Sequence, residues 1–310
     1  MGTTPLPSAS RDMADALRVA ASACELMMHW PGNTGTGFLA ELERPVAKGL
    51  TYVEAVRRMG LEPVVNVNPW TVLPGKGIVR NDGSGCCDFG DASFRRQMVR
   101  DVAAAARRFR PAYFSIGNEV NTVAQLSGAR AFHDLLLLEG ALYRAIKQAS
   151  PQTKVVMVVS WSQLADGDAP PDYSLLRRVA SVCDVVGFTS YPWHRHSTPD
   201  TLPQDYYRRI ARYVRKPIGF TEIGWTSDPA LGGREDVQAR FLVRFLELTR
   251  GMHLEFVNWA FLHDLPSTAV HGVAVQRTHL GLGLRRLDGT PKPVWFLWAK
   301  LHSLPIVPRR

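Results

Sequence analysis

Cysteine is scarce in this chain: four in 310 residues, too few to staple a protein of this size into a disulfide framework. Cys24 and Cys183 fall in apolar segments and read as small core residues. Cys86 and Cys87 are adjacent in the loop NDGSGCCDFG and lack the spaced second pair of a zinc site, so they read as free thiols. Long apolar runs are missing too, none approaching the eighteen or so residues of a membrane span. The opening MGTTPLPSASRDMADALRV has no basic region followed by an apolar stretch, so no signal peptide is visible. The expected location is the cytoplasm by default, or outside it if the start of the chain has been removed. A dinucleotide fingerprint is absent as well. The glycine cluster WPGNTGTGF at 30–38 has the wrong spacing and follows Trp-Pro instead of opening a helix, and no cofactor is expected.

What is present is an ordinary globular composition, 45% hydrophobic and 21% charged, which excludes disordered and collagen-like chains. The net charge is +9, but the arginines are spread as pairs such as Arg57-Arg58, Arg107-Arg108 and Arg177-Arg178 through helical segments. That is the pattern of solvated outer faces, so no nucleic-acid partner is expected, while acidic glycans remain candidate ligands. Short β-branched and aromatic runs recur, ending near Trp30, Trp70, Asn121, Trp161, Trp193, Trp225 and Asp264. Helix-like segments separate them at 45–59, 91–109, 129–149, 172–182, 201–214 and 233–250, with others at 11–21 and 291–302. Strands alternating with helices require parallel pairing, and near-continuous apolar strands require burial on both faces. Polar and aromatic residues gather at nearly every strand's C-terminal end, where a closed (β/α)8 barrel builds its site, whereas an open sheet would gather them at one switch point. The expected architecture is a single TIM-barrel domain over 1–310, with 1–10 as a loop or disordered start.

Two of these strands deliver carboxylates: YFSIGNEVN at 113–121 and IGFTEIGW at 218–225. A lone glutamate at a strand end is more often a helix cap or ion-pair partner. Two in this order, with strands near 155–161 and 184–191 between them, resemble the large clan of retaining (β/α)8 glycoside hydrolases, clan A type, over about residues 11–302. The resemblance implies Asn118-Glu119 at the end of strand four, with Glu119 as acid/base, and Glu222 ending strand seven as nucleophile. It also implies Tyr191 beside the nucleophile and Trp259 under the sugar. Cleavage requires one carboxyl kept protonated and one ionised. Glu119 is expected to be the protonated one, Tyr191 to hold Glu222 ionised, and Asn118 to hold the sugar 2-hydroxyl. Trp30, Trp70, Trp161, Trp193 and Trp225 also stand at strand ends and are candidate stacking surfaces for sugar C–H faces. The histidines His29, His194, His196 and His263 are expected mostly as polar fillers or hydrogen-bond partners, and His29 joins the substrate-binding set. One departure is expected. Only two readable strands precede Glu119, so strand one is either missing or replaced by a segment from elsewhere.

Two rivals stand beside a glycosidase acting on an oligo- or polysaccharide. A metal-dependent barrel hydrolase would use His194, His196 and Asp264 as ligands. A non-catalytic glycan-binding barrel would keep the tryptophans and need neither carboxylate. Nothing in the loops 71–90, 162–171 or 264–281 names a sugar.

Overall fold

The structure, a computed structural model, describes every residue except 7, 10, 11, 32–36, 74–76, 81–84, 86, 270–276 and 304–310. Eight parallel strands close into a barrel: β1 Gly2–Thr3, β2 Leu26–His29, β3 Glu62–Val67, β4 Tyr113–Ile116, β5 Lys154–Ser160, β6 Val185–Ser190, β7 Ile218–Ile223 and β8 Leu254–Trp259. Helices α1 Met13–Ala21, α2 Phe38–Glu43, α3 Tyr52–Arg58, α4 Ala92–Phe109, α5 Asn121–Ala149, α6 Trp161–Asp166, α7 Ser174–Ala180, α8 Ile210–Tyr213, α9 Glu235–Thr249 and α10 Pro293–His302 complete the (β/α)8 barrel. None of the described helices is long and apolar enough to cross a membrane.

The strands are apolar on both faces because each face meets a different core. One parity (Leu26, Met28, Val64, Val156, Val158, Val185, Phe256) fills the lumen as its own cluster. The other (Met27, Val65, Phe114, Val155, Met157, Phe188, Phe220) packs outward with the helices. Towards the C-terminal end the inward parity turns polar, with Asn66, Ser115, Thr189, Thr221 and Asn258 all fully buried. At the opposite end Tyr113 donates to Glu255 at 2.8 Å and Lys154 pairs with the same carboxylate, closing the barrel floor. Cys24 and Cys183 are fully buried core thiols, both pushed up to about 12 by burial. Cys87 is buried, and Cys86 lies outside the described residues.

The barrel has its first strand, contrary to the sequence reading. Gly2 and Thr3 pair with Leu26 and Met27 on one side and with Asn258 and Trp259 on the other. Residues 1–10 are therefore not simply a loop or disordered start. Two residues leave no periodicity to read, which is why the strand escaped notice. Gly2 is there because the lumen is tight: a Cβ would lie 2.1 Å from Leu26 Cδ1 and 2.6 Å from the Leu26 carbonyl oxygen. Since the backbone atom cannot move aside, Gly2→Ala is expected to destabilise the fold by about 1–3 kcal/mol, read as a lowered urea midpoint with unchanged slope.

Three other boundaries differ. The expected helix at 45–59 splits, because Pro45–Ala47 and Leu50–Thr51 form a small hairpin. Its turn, at Lys48 and Gly49, has positive φ at both positions. Helix α3 then starts at a capping box made by Thr51 and Glu54. The segment 201–214 is α-helical only at Ile210–Tyr213, after a 3-10 turn at Pro199–Thr201. Strand β3 stops at Val67, before Asn68-Pro69, and Trp70 opens an antiparallel hairpin, Trp70–Leu73 with Gly77–Arg80, instead of ending a barrel strand.

Candidate active site

After β4 the chain makes an unusual turn. Gly117 has φ 95° and Glu119 has φ 51°, a left-handed conformation that disfavours a residue with a side chain and recurs at functional sites. The turn is held from both sides. The Val120 amide donates to the Val158 carbonyl at 2.9 Å. The Asn121 side chain accepts from the Ser160 amide at 2.8 Å and donates back to the Ser160 carbonyl at 3.3 Å. Glu119 is thereby aimed over the barrel mouth, where its Oε1 accepts from Thr189 Oγ1 at 2.6 Å and its carboxylate also bonds the Ser160 hydroxyl.

Glu222 reaches the same place by a different device. Strict alternation would give it the parity of Phe220, which faces the helices. Strand β7 carries one extra residue: Phe188 pairs with Phe220, but the next residue, Thr189, pairs with Glu222, and the register against β8 shifts in the same interval. The bulge turns Glu222 to the lumen. Glu222 as a residue is 9% exposed, and its carboxylate accepts from the Tyr191 hydroxyl and the Asn118 side chain. Tyr191 is fixed in turn by its amide, which donates to Ser162 Oγ at 2.9 Å.

Burial raises both carboxyls. Glu119 lies above its ordinary range through desolvation, opposed by Thr189 and Ser160. Glu222 is pushed up to about 8, by desolvation first and then by the charge of Glu119, against the lowering effect of Tyr191 and Asn118. This corrects the expectation that only Glu119 would be raised. Two buried carboxyls that feel each other's charge titrate as a pair, and the pair holds a proton at neutral pH.

The other residues singled out from sequence divide sharply. Trp259 is fully buried, donates to the Leu282 carbonyl at 2.7 Å, and meets the Phe241 and Trp298 rings of α9 and α10. Trp161 is fully buried among Tyr173, Phe188 and Tyr206. Trp225 packs on Phe241, and Trp70 on Phe89. These four lie in the outer core. Trp30 and Trp193 are only partly buried. Trp30 packs against the lumen cluster and donates to Thr4 Oγ1 at 3.3 Å. Trp193 stacks on His194 and packs beside Tyr191. His29 stacks on Tyr52 at 4.3 Å, and burial pushes it down to about 4, so it is neutral. Residues missed from sequence are Thr189 and Ser160, which are register partners and both bond Glu119. Phe261 and His279 were also missed; their rings meet, and His279 faces Tyr191. The signal for Thr189 and Ser160 was their lumen parity at strand ends.

The three residues of the metal alternative have other partners. His194 lies on Trp193, His196 faces Asp166, and Asp264 binds Lys292 at 2.6 Å. Among the described residues no three His, Cys, Asp or Glu side chains converge as a metal site.

No family model matches the chain, and no curated relative does. Solved structures do. A family 39 glycoside hydrolase from the gut symbiont Bacteroides cellulosilyticus WH2 superposes with TM-score 0.67 at 18% identity, covering 98% of this chain and 63% of that one. An exo-β-1,4-mannosidase from Opitutaceae bacterium strain TAV5 gives 0.70 at 16%, covering 97% and 58%. A GH5_18 protein from Bifidobacterium longum, solved with Manβ1-4GlcNAc, gives 0.68 at 16%, covering 96% and 74%. This chain thus spans under two thirds of the first two. The structural neighbours are glycoside hydrolases, and at these identities the likeness is one of fold.

Proposed function

We propose that the protein is a retaining glycoside hydrolase in which Glu222 attacks the anomeric carbon and Glu119 is the acid/base. The observation that carries this reading is the buried, charge-coupled carboxyl pair at the ends of β4 and β7, each member held by its own hydrogen-bond donors. Tyr191 and Asn118 serve Glu222, and Thr189 and Ser160 serve Glu119. The pair titrates as a unit, and in this reading its shared proton lies on Glu119 when a glycosidic oxygen arrives beside it. Glu119 gives that proton to the leaving oxygen as Glu222 forms the glycosyl bond, and it takes one back from the water that hydrolyses the intermediate. In this reading Asn118, whose Oδ1 has no partner among the described residues, would hold the 2-hydroxyl. The half-buried Trp30, Trp193 and Phe261 are the stacking surfaces this reading favours, with His29 a neutral hydrogen-bond partner. The substrate is an oligo- or polysaccharide, and the charge of +9 favours an anionic one. The test is a panel of aryl glycosides and neutral and uronic-acid polysaccharides, with product configuration read by NMR. Turnover with retained configuration is expected; an inverted product would remove the double displacement, and no turnover on any member would favour a binding barrel.

Tyr191 gives a pH prediction. The active species has ionised Glu222 and protonated Glu119. Activity should fall on the alkaline side as the pair loses its last proton, at about pH 8. Tyr191→Phe removes a donor that lowers the Glu222 pKa, so Glu222 holds its proton to higher pH. The acidic limb of kcat/KM should move upward, with a loss on the order of tenfold to a hundredfold at its optimum from the missing charge-assisted hydrogen bond. A pH–rate profile unchanged in shape would refute the role of Tyr191.

A further inference from the structure

Glu139 is a carboxyl the proposed chemistry does not use. It sits on α5, completely buried, and neither carboxylate oxygen has a hydrogen-bond partner among the described residues. Burial alone raises it well above the carboxylate range, so it is a neutral acid. An unpaired buried carboxyl is destabilising compared with a leucine of similar size, so its position calls for a reason. The position is specific. Helix α5 starts directly after Glu119 and breaks at Gly128, where φ is 85° and ψ 175°. Its second half then brings Glu139 against Gly117. A Cβ at Gly117 would lie 3.0 Å from Glu139 Oε1, 3.1 Å from Val120 Cγ1 and 3.3 Å from Trp70 Cζ2.

We infer that Glu139 is a positioning residue for Glu119, its carboxyl occupying the space that the glycine leaves open beneath the turn. The conformation at Gly117 admits no ordinary side chain, so the space beneath the turn is filled only in part by the turn's own Val120. Glu139 of α5 and Trp70 of the hairpin supply the remaining contacts. With the space filled, the Gly117 to Val120 segment has one arrangement, and Glu119 keeps its left-handed backbone and its bond to Thr189. With the space empty, the turn can sink and carry the acid away from the leaving oxygen while Glu222, on β7, stays in place.

This inference rests on the glycosidase reading, and its test separates the two. Glu139→Ala should lower kcat about tenfold to a hundredfold, as small misplacements do, on glycosides whose leaving group needs a proton. Activated aryl glycosides should change less than about threefold in the glycosylation step, because they bypass the acid. KM should hold for both. Glu139→Gln, equal in shape and neutral like the native acid, should restore the native ratio between the two substrate classes. Where Glu139→Ala does not fold, Glu139→Asp, one methylene shorter, carries the same comparison. A loss equal on both classes, no loss, or a Gln variant as impaired as the Ala variant would overturn the positioning role. The contact can also be read without substrate: Gly117→Ala should destabilise less in the Glu139→Ala background than in the native one, and additive effects would count against it. Native protein that turns over neither class would instead refute the glycosidase reading and leave that cycle to be judged alone.

Discussion

Glu222→Ala is expected to abolish turnover of every glycoside, activated or not, by on the order of 10⁴- to 10⁶-fold, the range seen when a residue of a covalent machinery is removed. The Glu222 carboxylate lies at the bulge of β7, held by Tyr191 and Asn118, and the neighbouring Glu119 is bonded to Thr189 and Ser160 instead. Stability should move the other way. A coupled carboxyl pair whose last proton leaves at about 8 against an ordinary 4.5 favours folding below 4.5, and that contribution is lost as pH rises through 8. Glu222→Gln has no such loss. It should be more stable than the native protein at neutral pH, with an advantage that grows between those two values and then levels off. An inactive variant that is also less stable at pH 8 than the native chain would show that burial is not what raises this carboxyl. Residual turnover of activated substrates near the native rate would remove Glu222 as nucleophile.

The same bulge shows where sequence reading reaches its limit. That β4 and β7 each end in a glutamate was legible, because an apolar run closing on a carboxylate stands out, and the intervening strands set their order around the barrel. Alternation on its own would turn Glu222 outward beside Phe220, and the extra residue in β7 that reverses it leaves no trace in composition. Strand β1 was hidden for a related reason, since Gly2 and Thr3 form a strand only because Leu26 and Asn258 lie either side to receive them. The tryptophans carried a signal that position at a strand end obscured. Trp259 follows the lumen residue Asn258, and Trp161 follows Ser160, which bonds Glu119. Both tryptophans therefore have outward parity, and the structure places them against helices. Parity, read one residue at a time, separates sugar-facing candidates from core better than proximity to a strand end does. Glu139 was not legible at all: its partner is the absent side chain of Gly117, across a kinked helix.

Glu119→Ala should divide substrates by leaving group. Loss of a general acid is worth about 10²- to 10⁴-fold, but only where the departing oxygen is too basic to leave without a proton. Natural glycosides should lose that much, whereas activated aryl glycosides should keep near-native glycosylation and then stall. The stall is expected because, on the proposed mechanism, Glu119 would also be the base that activates water against the glycosyl-enzyme. A burst of aryl product followed by slow turnover is therefore expected, and an added small anion such as azide should relieve the second step, since it attacks without needing a base. The pH dependence should change with it. The charge of Glu119 raises Glu222 only where Glu119 is ionised. The acidic limb for activated substrates, which reports Glu222 beside an already neutral Glu119, should therefore stay near its native position, and the alkaline limb, which reports the pair's shared proton, should disappear. The φ of 51° at Glu119 adds a stability signature, because Glu119→Gly removes both the strained side chain and the buried carboxyl. That variant should gain about 1 kcal/mol or more over the native protein, measured by thermal or denaturant unfolding. Equal losses on all leaving groups, with no burst and no rescue by azide, would show that Glu119 is not the acid/base, and a glycine variant less stable than the native chain would show that the turn is not strained.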